Sequence, residues 1–128
     1  MLTLVAALWT KTVLHAVDQP ISGKMPITLP VEIPNPKGSA WTYTAKVTTT
    51  GGAGVSLKIV DRQTKGLVQT ASNADPQSTA IISAQLNPLR EYDLVVSPAK
   101  GSSEATFTGT QRHTFSIKRH RLFDLFRR

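Results

Sequence analysis

Short runs of alternating apolar and polar residues, separated by turns rich in glycine and proline, most constrain the fold of this 128-residue chain. Trp41–Thr48 alternates strictly, and further short runs follow, with turn signals about every 8–12 residues, up to residue 117. Successive side chains of a β-strand point to opposite faces, so alternation predicts strands with one buried face. Residues 40–117 contain no helical period of useful length. The pattern predicts an all-β protein: a single antiparallel β-sandwich of about seven or eight strands, jelly-roll or Ig-like.

Local sequence also predicts how some strands are joined. Trp41–Thr48 and Val55–Ile59 are expected to form a hairpin across the glycine-rich turn between them. The last two strands are predicted at 104–108 and 113–117, joined around Gly109.

Prolines 26, 30, 34 and 36 interrupt an otherwise alternating segment near residues 26–36. Proline has no backbone N–H to donate to a ladder, so this segment is predicted to be an edge strand or an extended arm. The later strands are rich in threonine, which favours a solvated sheet face. These residues are Thr42, Thr44, Thr48, Thr49, Thr106, Thr108, Thr110 and Thr114.

The N-terminal residues 1–26 are predicted to be an apolar arm or an added strand that precedes a sandwich domain at 27–117. Residues 1–9 are apolar apart from Thr3, but Lys11 follows soon after, whereas a membrane helix needs about 20 apolar residues. No basic residue precedes Leu2, so the basic start of a signal peptide is missing. We therefore expect no membrane span and no cleaved leader.

Positive charge is concentrated at the C-terminal end. Residues 111–128 contain six Lys or Arg and one Asp, a net charge of +5. The other 110 residues contain nine basic and seven acidic side chains, a net charge of only +2. Any basic partner-binding surface therefore belongs to the tail rather than to the body.

The C-terminal residues 118–128 are predicted to be a docking tail, because a basic run is joined there to a cluster of large apolar side chains. A short helix would group Leu122, Phe123 and Phe126 on one side, and such a group is too small to fold alone. It is expected to dock on a partner subunit; docking on its own sandwich, or binding of nucleic acid or another anionic surface, are the alternatives. The predicted partner-contacting residues are Leu2, Leu4, Trp9, Arg119, Arg121, Leu122, Phe123, Leu125, Phe126, Arg127 and Arg128.

The chain contains few residues of the types that usually take part in catalysis or metal binding. The chain has no cysteine, so it has neither disulfides nor thiolate ligands, and its three histidines are expected on the surface. Glu91 and Asp93 share one face of a predicted strand, where Arg90 would balance their charge. No nucleophile elbow, phosphate loop or calcium-loop motif is present. We expect no enzymatic activity, no cofactor and no metal site.

Trp41 and Tyr43 share a face of their predicted strand and have two interpretations. They would be core residues, or they would form a platform that stacks on sugar rings. Only 6% of the residues are aromatic, so a core of this size needs most of them. The second interpretation predicts a carbohydrate-binding or adhesive module.

The stretch from Trp41-Thr42-Tyr43-Thr44-Ala45-Lys46-Val47 to Tyr92-Asp93-Leu94-Val95-Val96 resembles small Ig-like or jelly-roll modules. Such modules occur in bacterial secreted proteins and as accessory proteins of phage virions. The resemblance implies the fold. The apolar N-terminus, the proline-rich arm at 26–36 and the basic-apolar tail favour a non-enzymatic structural subunit of a larger protein assembly such as a viral particle, homo- or hetero-oligomeric, with an extracellular or cell-surface location as the alternative. Nucleic acid and carbohydrate remain the alternative partners.

Overall fold

The computed structural model describes residues 10–49, 54–75, 79–99 and 105–120. Within these ranges the chain forms eight strands and no helix, which confirms the all-β prediction. The strands are β1 (Thr10–Lys24), β2 (Ile27–Val31), β3 (Ser39–Thr49), β4 (Val55–Asp61), β5 (Leu67–Asn73), β6 (Thr79–Leu86), β7 (Tyr92–Ser97) and β8 (Thr106–His120).

The strands form two four-stranded antiparallel sheets. The first sheet has the order β1-β8-β3-β6 and the second has the order β2-β7-β4-β5. Eight strands divided in this way between two sheets form a jelly roll, one of the two sandwich types predicted. The chain changes sheet at every step except from β4 to β5. The β6 strand contacts β5, so β1 lies at the opposite lateral edge of the sandwich.

The predicted hairpin between Trp41–Thr48 and Val55–Ile59 is wrong, because β3 and β4 belong to different sheets. The β4 strand instead pairs with β5 through a tight turn. The Asp61 N–H donates to the Gly66 carbonyl at 2.9 Å, and the Lys65 N–H donates to the Asp61 carbonyl at 2.8 Å. Alternation shows that a segment is a strand but not which strand it pairs with, and this explains the error.

The two predicted final strands are a single continuous strand, β8, and Gly109 is in its interior rather than in a turn. Gly109 is opposite Val47 of β3 and Ile21 of β1. A Cβ atom at this position would be 2.1 Å from the Lys46 carbonyl oxygen. Glycine is therefore needed here for close backbone approach, which the sequence alone does not distinguish from a turn.

The core is formed by the inward faces of both sheets. In β4, Val55, Leu57 and Ile59 are buried, while the alternate residues Ser56, Lys58 and Val60 are more exposed. The other main core side chains are Met25, Val31, Trp41, Tyr43, Ala45, Val47, Ile82, Leu86, Tyr92, Leu94, Val96 and Phe107. Burial of these apolar surfaces provides the main stabilisation of the sandwich.

The proline-containing segment and the threonines occupy the predicted kinds of position. The β2 strand, with Pro30 in its interior, lies at the edge of the second sheet. Most of the predicted threonines lie on the outer face of the first sheet, where Thr44 bonds to Ser83 and Thr48 to Thr79, both at 2.9 Å. Thr49 is the exception, since it is buried.

Residues 10–24 form strand β1, which pairs with β8 without interruption from Thr10–His120 to Lys24–Thr106. The β8 strand continues to His120, beyond residue 117 where the predicted sandwich domain ended. Both chain ends are therefore attached to neighbouring strands of the same sheet.

Candidate assembly surfaces

The two terminal segments leave the sandwich side by side. Thr10 and His120 are partners in the β1–β8 ladder, so residues 1–9 and 121–128 are joined to it at the same end. The sequence predicts two separate arms, because the pairing of β1 with β8 has no local signal. The structure places their attachment points together.

One of the eleven predicted docking residues lies in a described strand. Arg119 is in β8, opposite Lys11 in the ladder. The other ten lie outside the described residues: Leu2, Leu4, Trp9, Arg121, Leu122, Phe123, Leu125, Phe126, Arg127 and Arg128. The structure therefore fixes where these segments start but does not test their roles.

The end of the β1–β8 ladder extends beyond the neighbouring strand. Pairing of β3 with β8 reaches Ser116, so among the described residues 117–120 pair with β1 alone. Val13 and Ile117 are partners on the inward side of this two-stranded ribbon and are only partly buried. Leu14, on the other side, is 71% exposed. A ribbon of two strands is only marginally stable in water by itself. Its exposed and partly buried apolar side chains therefore provide a surface on which another element can pack.

Polar side chains fix the register of β1 against the rest of the first sheet. The Tyr43 hydroxyl donates to Gln111 Oε1, and Gln111 Nε2 donates to Gln19 Oε1, both at 2.7 Å. This chain of hydrogen bonds crosses β3, β8 and β1 on the inward side. A slip of β1 by one residue would turn the Gln19 side chain to the opposite face and leave the buried amide of Gln111 without this acceptor. The contacts thus hold β1, β8 and β3 in register.

An ion pair supports the same register from the outer face. Arg112 donates to Asp18 through Nε at 2.6 Å and through Nη2 at 3.0 Å. This contact lowers the pKa of the Asp18 carboxyl group. Both side chains are exposed, so the pair contributes more to specificity than to stability.

Trp41 and Tyr43 are core residues, with exposed fractions of 1% and 0%. Trp41 Nε1 donates to His113 Nδ1 at 3.1 Å, and the two rings are nearly parallel, with their centroids 5.9 Å apart. Tyr43 contacts the same imidazole at 5.1 Å, and burial raises the pKa of its hydroxyl group. Neither ring presents a face to solvent on which a sugar could stack.

The prediction of three surface histidines is wrong for His113, which is 2% exposed. Its place in the alternation, two residues after Gln111 and two before Phe115, assigns it to the inward face. His15 is partly buried and stacks on Phe115 at 5.7 Å. The side chain of His120 is outside the described part of the structure.

The acidic residues near β7 are held by Arg62 rather than by the predicted Arg90. Arg62 is 2.7 Å from Glu91, 3.2 Å from Asp93 and 3.5 Å from Glu32. Arg90 instead pairs with Asp61 at 2.7 Å. Among the described residues, no cluster of three or more potential ligands could hold a metal ion. The described ranges also contain no helix suited to crossing a membrane.

No family model and no curated protein matches this chain. Among solved structures, it is similar to a chain described under "Bacillus endospore appendages form a novel family of disulfide-linked pili". The two share 13% sequence identity and a TM-score of 0.53, over 87% of this chain and 93% of the other. The likeness is one of fold. The present chain has no cysteine and cannot form the disulfides named for that neighbour.

The stability of the fold is expected to fall as the pH drops below about 6.5, the ordinary pKa of histidine. Burial lowers the pKa of His113, so the unfolded chain takes up this proton more readily than the folded chain. The free energy of unfolding is therefore unaffected by His113 above the pKa of histidine in the unfolded chain. Below that pKa it decreases, by up to about 1.4 kcal/mol per pH unit. Thermal unfolding followed by circular dichroism between about pH 8 and pH 5 measures this dependence.

His113→Gln is the matched control for this prediction. Glutamine retains an acceptor for Trp41 Nε1 but does not titrate, so the variant is expected to lose the slope between about pH 6.5 and 5. Asp18 and Asp61 have lowered pKa values, so their stabilisation is lost only as the pH falls below the ordinary carboxylate range, near 4. Equal slopes in the wild-type chain and the variant would contradict the assignment to His113.

Proposed function

We propose that the protein is a non-enzymatic structural subunit that attaches to a larger protein assembly through residues 1–9 and 121–128. The observation that carries the proposal is the pairing of Thr10 with His120, which brings both terminal segments to one end of the sandwich. The partners are other protein subunits, either copies of this chain or different proteins.

The composition of the two segments supports this function. Residues 1–9 are apolar apart from Thr3, and 121–128 combine four large apolar residues with three arginines. Because the segments start side by side, they provide one combined docking element with apolar and basic side chains. Its natural partner is an apolar groove with acidic residues at its rim.

The properties of the sandwich support a role as a structural scaffold. Its interior is an apolar core between two sheets, and Arg62 and Arg90 pair with acidic side chains near the surface. The similar solved chain belongs to a pilus, which is an assembly of subunits, although at 13% identity it supports the proposal only coarsely. A viral particle or an extracellular appendage is the kind of assembly proposed, and this chain would contribute no disulfide to it because it lacks cysteine.

Deletion of residues 121–128 is expected to abolish incorporation into the assembly while the isolated domain stays folded. The cut falls after β8, whose last residue is His120, so the β1–β8 ladder is retained. Incorporation is measured by mass spectrometry of assemblies purified from the source organism, and folding by circular dichroism. Unchanged incorporation of the shortened chain would contradict the proposal.

Two matched variants separate apolar docking from electrostatic binding. Phe123→Ser combined with Phe126→Ser removes apolar contacts and leaves the charge, whereas Arg127→Gln combined with Arg128→Gln does the reverse. Apolar docking predicts that the first pair abolishes incorporation and that the second weakens it only modestly. If the arginine variant alone abolishes incorporation, and DNA binding is steeply salt-dependent, the tail binds nucleic acid instead.

A further inference from the structure

A groove opens at one end of the sandwich, between the β2–β3 loop (residues 32–38) and the β6–β7 loop (residues 87–91). This end groove has a volume of about 260 Å³, and its apolar lining consists of Ile33, Pro36, Pro88 and Leu89. Leu89 is 92% exposed, more than any other large apolar side chain that the structure describes. Within the described part of the chain, nothing covers this apolar surface.

The end groove lies at the end of the sandwich where both terminal segments are attached. The β3 strand starts directly after the first loop, and its first residue, Ser39, pairs with Ser116 of β8. A Cβ atom at Gly38 would lie 2.8 Å from Ile33 Cδ1 and 2.8 Å from Phe115 Cδ2, so one side of the groove begins against β8. The end of β8, from which residues 121–128 continue, therefore stands next to the groove.

Both loops that form the groove are held by the same kind of local hydrogen bond. The side-chain oxygen of Asn35 accepts from the Lys37 N–H at 2.9 Å, and that of Asn87 accepts from the Leu89 N–H at 2.9 Å. Proline residues in both loops restrict the backbone further. A groove whose walls are fixed in advance loses little conformational entropy when a partner docks.

Negative charge is in excess around the end groove. Four carboxylate groups share two guanidinium groups here, those of Arg62 and Arg90. Two of the carboxylate side chains, Glu32 and Glu91, line the groove and are exposed. Lys37 belongs to the first loop but does not line the groove. The groove therefore combines apolar walls with an acidic rim and suits a partner that is both apolar and basic.

We propose that the end groove binds residues 121–128 of a second copy of this chain. The inference rests on the proposed function and deepens it, because it names the surface on which the segment docks. The segment contains four large apolar residues, which match the apolar walls, and three arginines against one aspartate, which match the acidic rim. Every copy then carries both halves of the contact between subunits.

The position at which the segment begins favours a second copy over the chain's own groove. Residues 117–120 pair with β1 alone and project about 13 Å beyond the level of Ser116. A segment that turned back into its own groove would use about four residues to cover the same distance. Leu122 and Phe123 would then lie beside the β1–β8 ribbon and not in the groove. In the groove of a second copy, the whole segment is available for the contact.

A single contact of this kind is expected to be weak. Eight residues cover less than the roughly 800 Å² that each partner contributes to a standard interface. In the assembly, contacts made by residues 1–9 of the same chain would raise the effective concentration of the segment near the groove. A test on the purified chain therefore needs a method that traps a weak contact.

Because the chain has no cysteine, disulfide trapping between two full-length variants provides this test. Leu89→Cys and Phe126→Cys are prepared with different affinity tags, mixed and oxidised mildly, and dimers that carry both tags are measured on non-reducing gels. They are expected to form at least about 10-fold faster than from the matched pair Ile81→Cys and Phe126→Cys. Ile81 is also an exposed apolar residue, but it lies on the outer face of β6.

A chain that carries both Leu89→Cys and Phe126→Cys separates the two possible sources of the segment. Docking on a second copy predicts disulfide-linked oligomers whose yield rises with protein concentration. Docking on the same chain predicts an internally linked monomer at a rate that does not depend on concentration. Circular dichroism of the reduced variants checks that each one is folded.

A second experiment needs no cysteine. Leu89→Ser, at a side chain outside the core, and deletion of residues 121–128 are each expected to raise the Kd of self-association at least about 10-fold. Combined, they are expected to raise it no further than either change alone, because both remove the same contact. Ile81→Ser is the matched control and is expected to leave the Kd unchanged. Sedimentation equilibrium of the otherwise unchanged chain measures all four.

Three results would each overturn the inference: equal rates for the two cysteine pairs, an internally linked monomer, or additive effects of Leu89→Ser and the deletion. If any of these occurs while the deletion still abolishes incorporation, the segment docks on a different protein and the proposed function stands. Failure of the proposed function is measured separately, as normal incorporation of the shortened chain.

Discussion

Replacement of Trp41 by alanine is expected to lower the free energy of unfolding by about 3–5 kcal/mol. Trp41 is among the largest fully buried side chains. Its ring centroid is 5.8 Å from that of Tyr92 and 5.9 Å from that of His113. Alanine would leave a cavity between the two sheets and remove the donor that pairs with His113 Nδ1. Urea unfolding at about pH 7.5, where His113 is neutral, measures the loss.

Trp41→Phe provides the control for this experiment. Phenylalanine retains most of the apolar volume but lacks the N–H donor, so it is expected to cost less than alanine, about 1–3 kcal/mol. A loss below about 1 kcal/mol for Trp41→Ala would contradict the placement of this side chain in the core. The same pair of variants separates the packing of the indole ring from its hydrogen bond.

Gly109→Ala is expected to destabilise the protein by about 3 kcal/mol, through backbone displacement rather than lost burial. The added Cβ atom would be 2.1 Å from the Lys46 carbonyl oxygen and 3.1 Å from the Val47 Cα atom. Neither is the end of a flexible side chain, so β3 and β8 must separate locally and weaken their ladder. Thermal and urea unfolding measure the change in stability.

Gly66→Ala is the matched control for Gly109→Ala. The nearest atom to a Cβ at Gly66 is the side-chain Oγ1 of Thr64, at 3.2 Å, and this hydroxyl group can move. The control variant is expected to change stability by no more than about 0.5 kcal/mol. Similar losses from the two alanine variants would indicate that Gly109 is not specially constrained.

Strand positions were largely predictable from sequence. The alternation in β3, β4 and β7 is a local consequence of one buried and one exposed face, and each predicted strand there corresponds to an observed one. The same pattern assigns Trp41, Tyr43 and His113 to the inward face, but the histidine was assigned to the surface from its residue type alone. The phase of the alternation was the better guide.

Strand partners were not predictable in the same way. The β4 strand is followed by β5 of the same sheet, but every other strand of this jelly roll that has a successor is followed by a strand of the other sheet. The expectation of a local hairpin between β3 and β4 therefore fails. Arg62 was missed as the partner of Glu91 and Asp93 for a similar reason, since these residues are about 30 positions apart in the chain and meet only across β4 and β7.

Alternation, apolar content and charge are local properties, so the amino-acid sequence is enough to predict a β-sandwich whose ends differ chemically from its body. The pairing of β1 with β8, and hence the common starting point of residues 1–9 and 121–128, is seen only in the folded structure. Sheet order depends on contacts between residues far apart in the chain, and those contacts form only when both sheets pack around a common core.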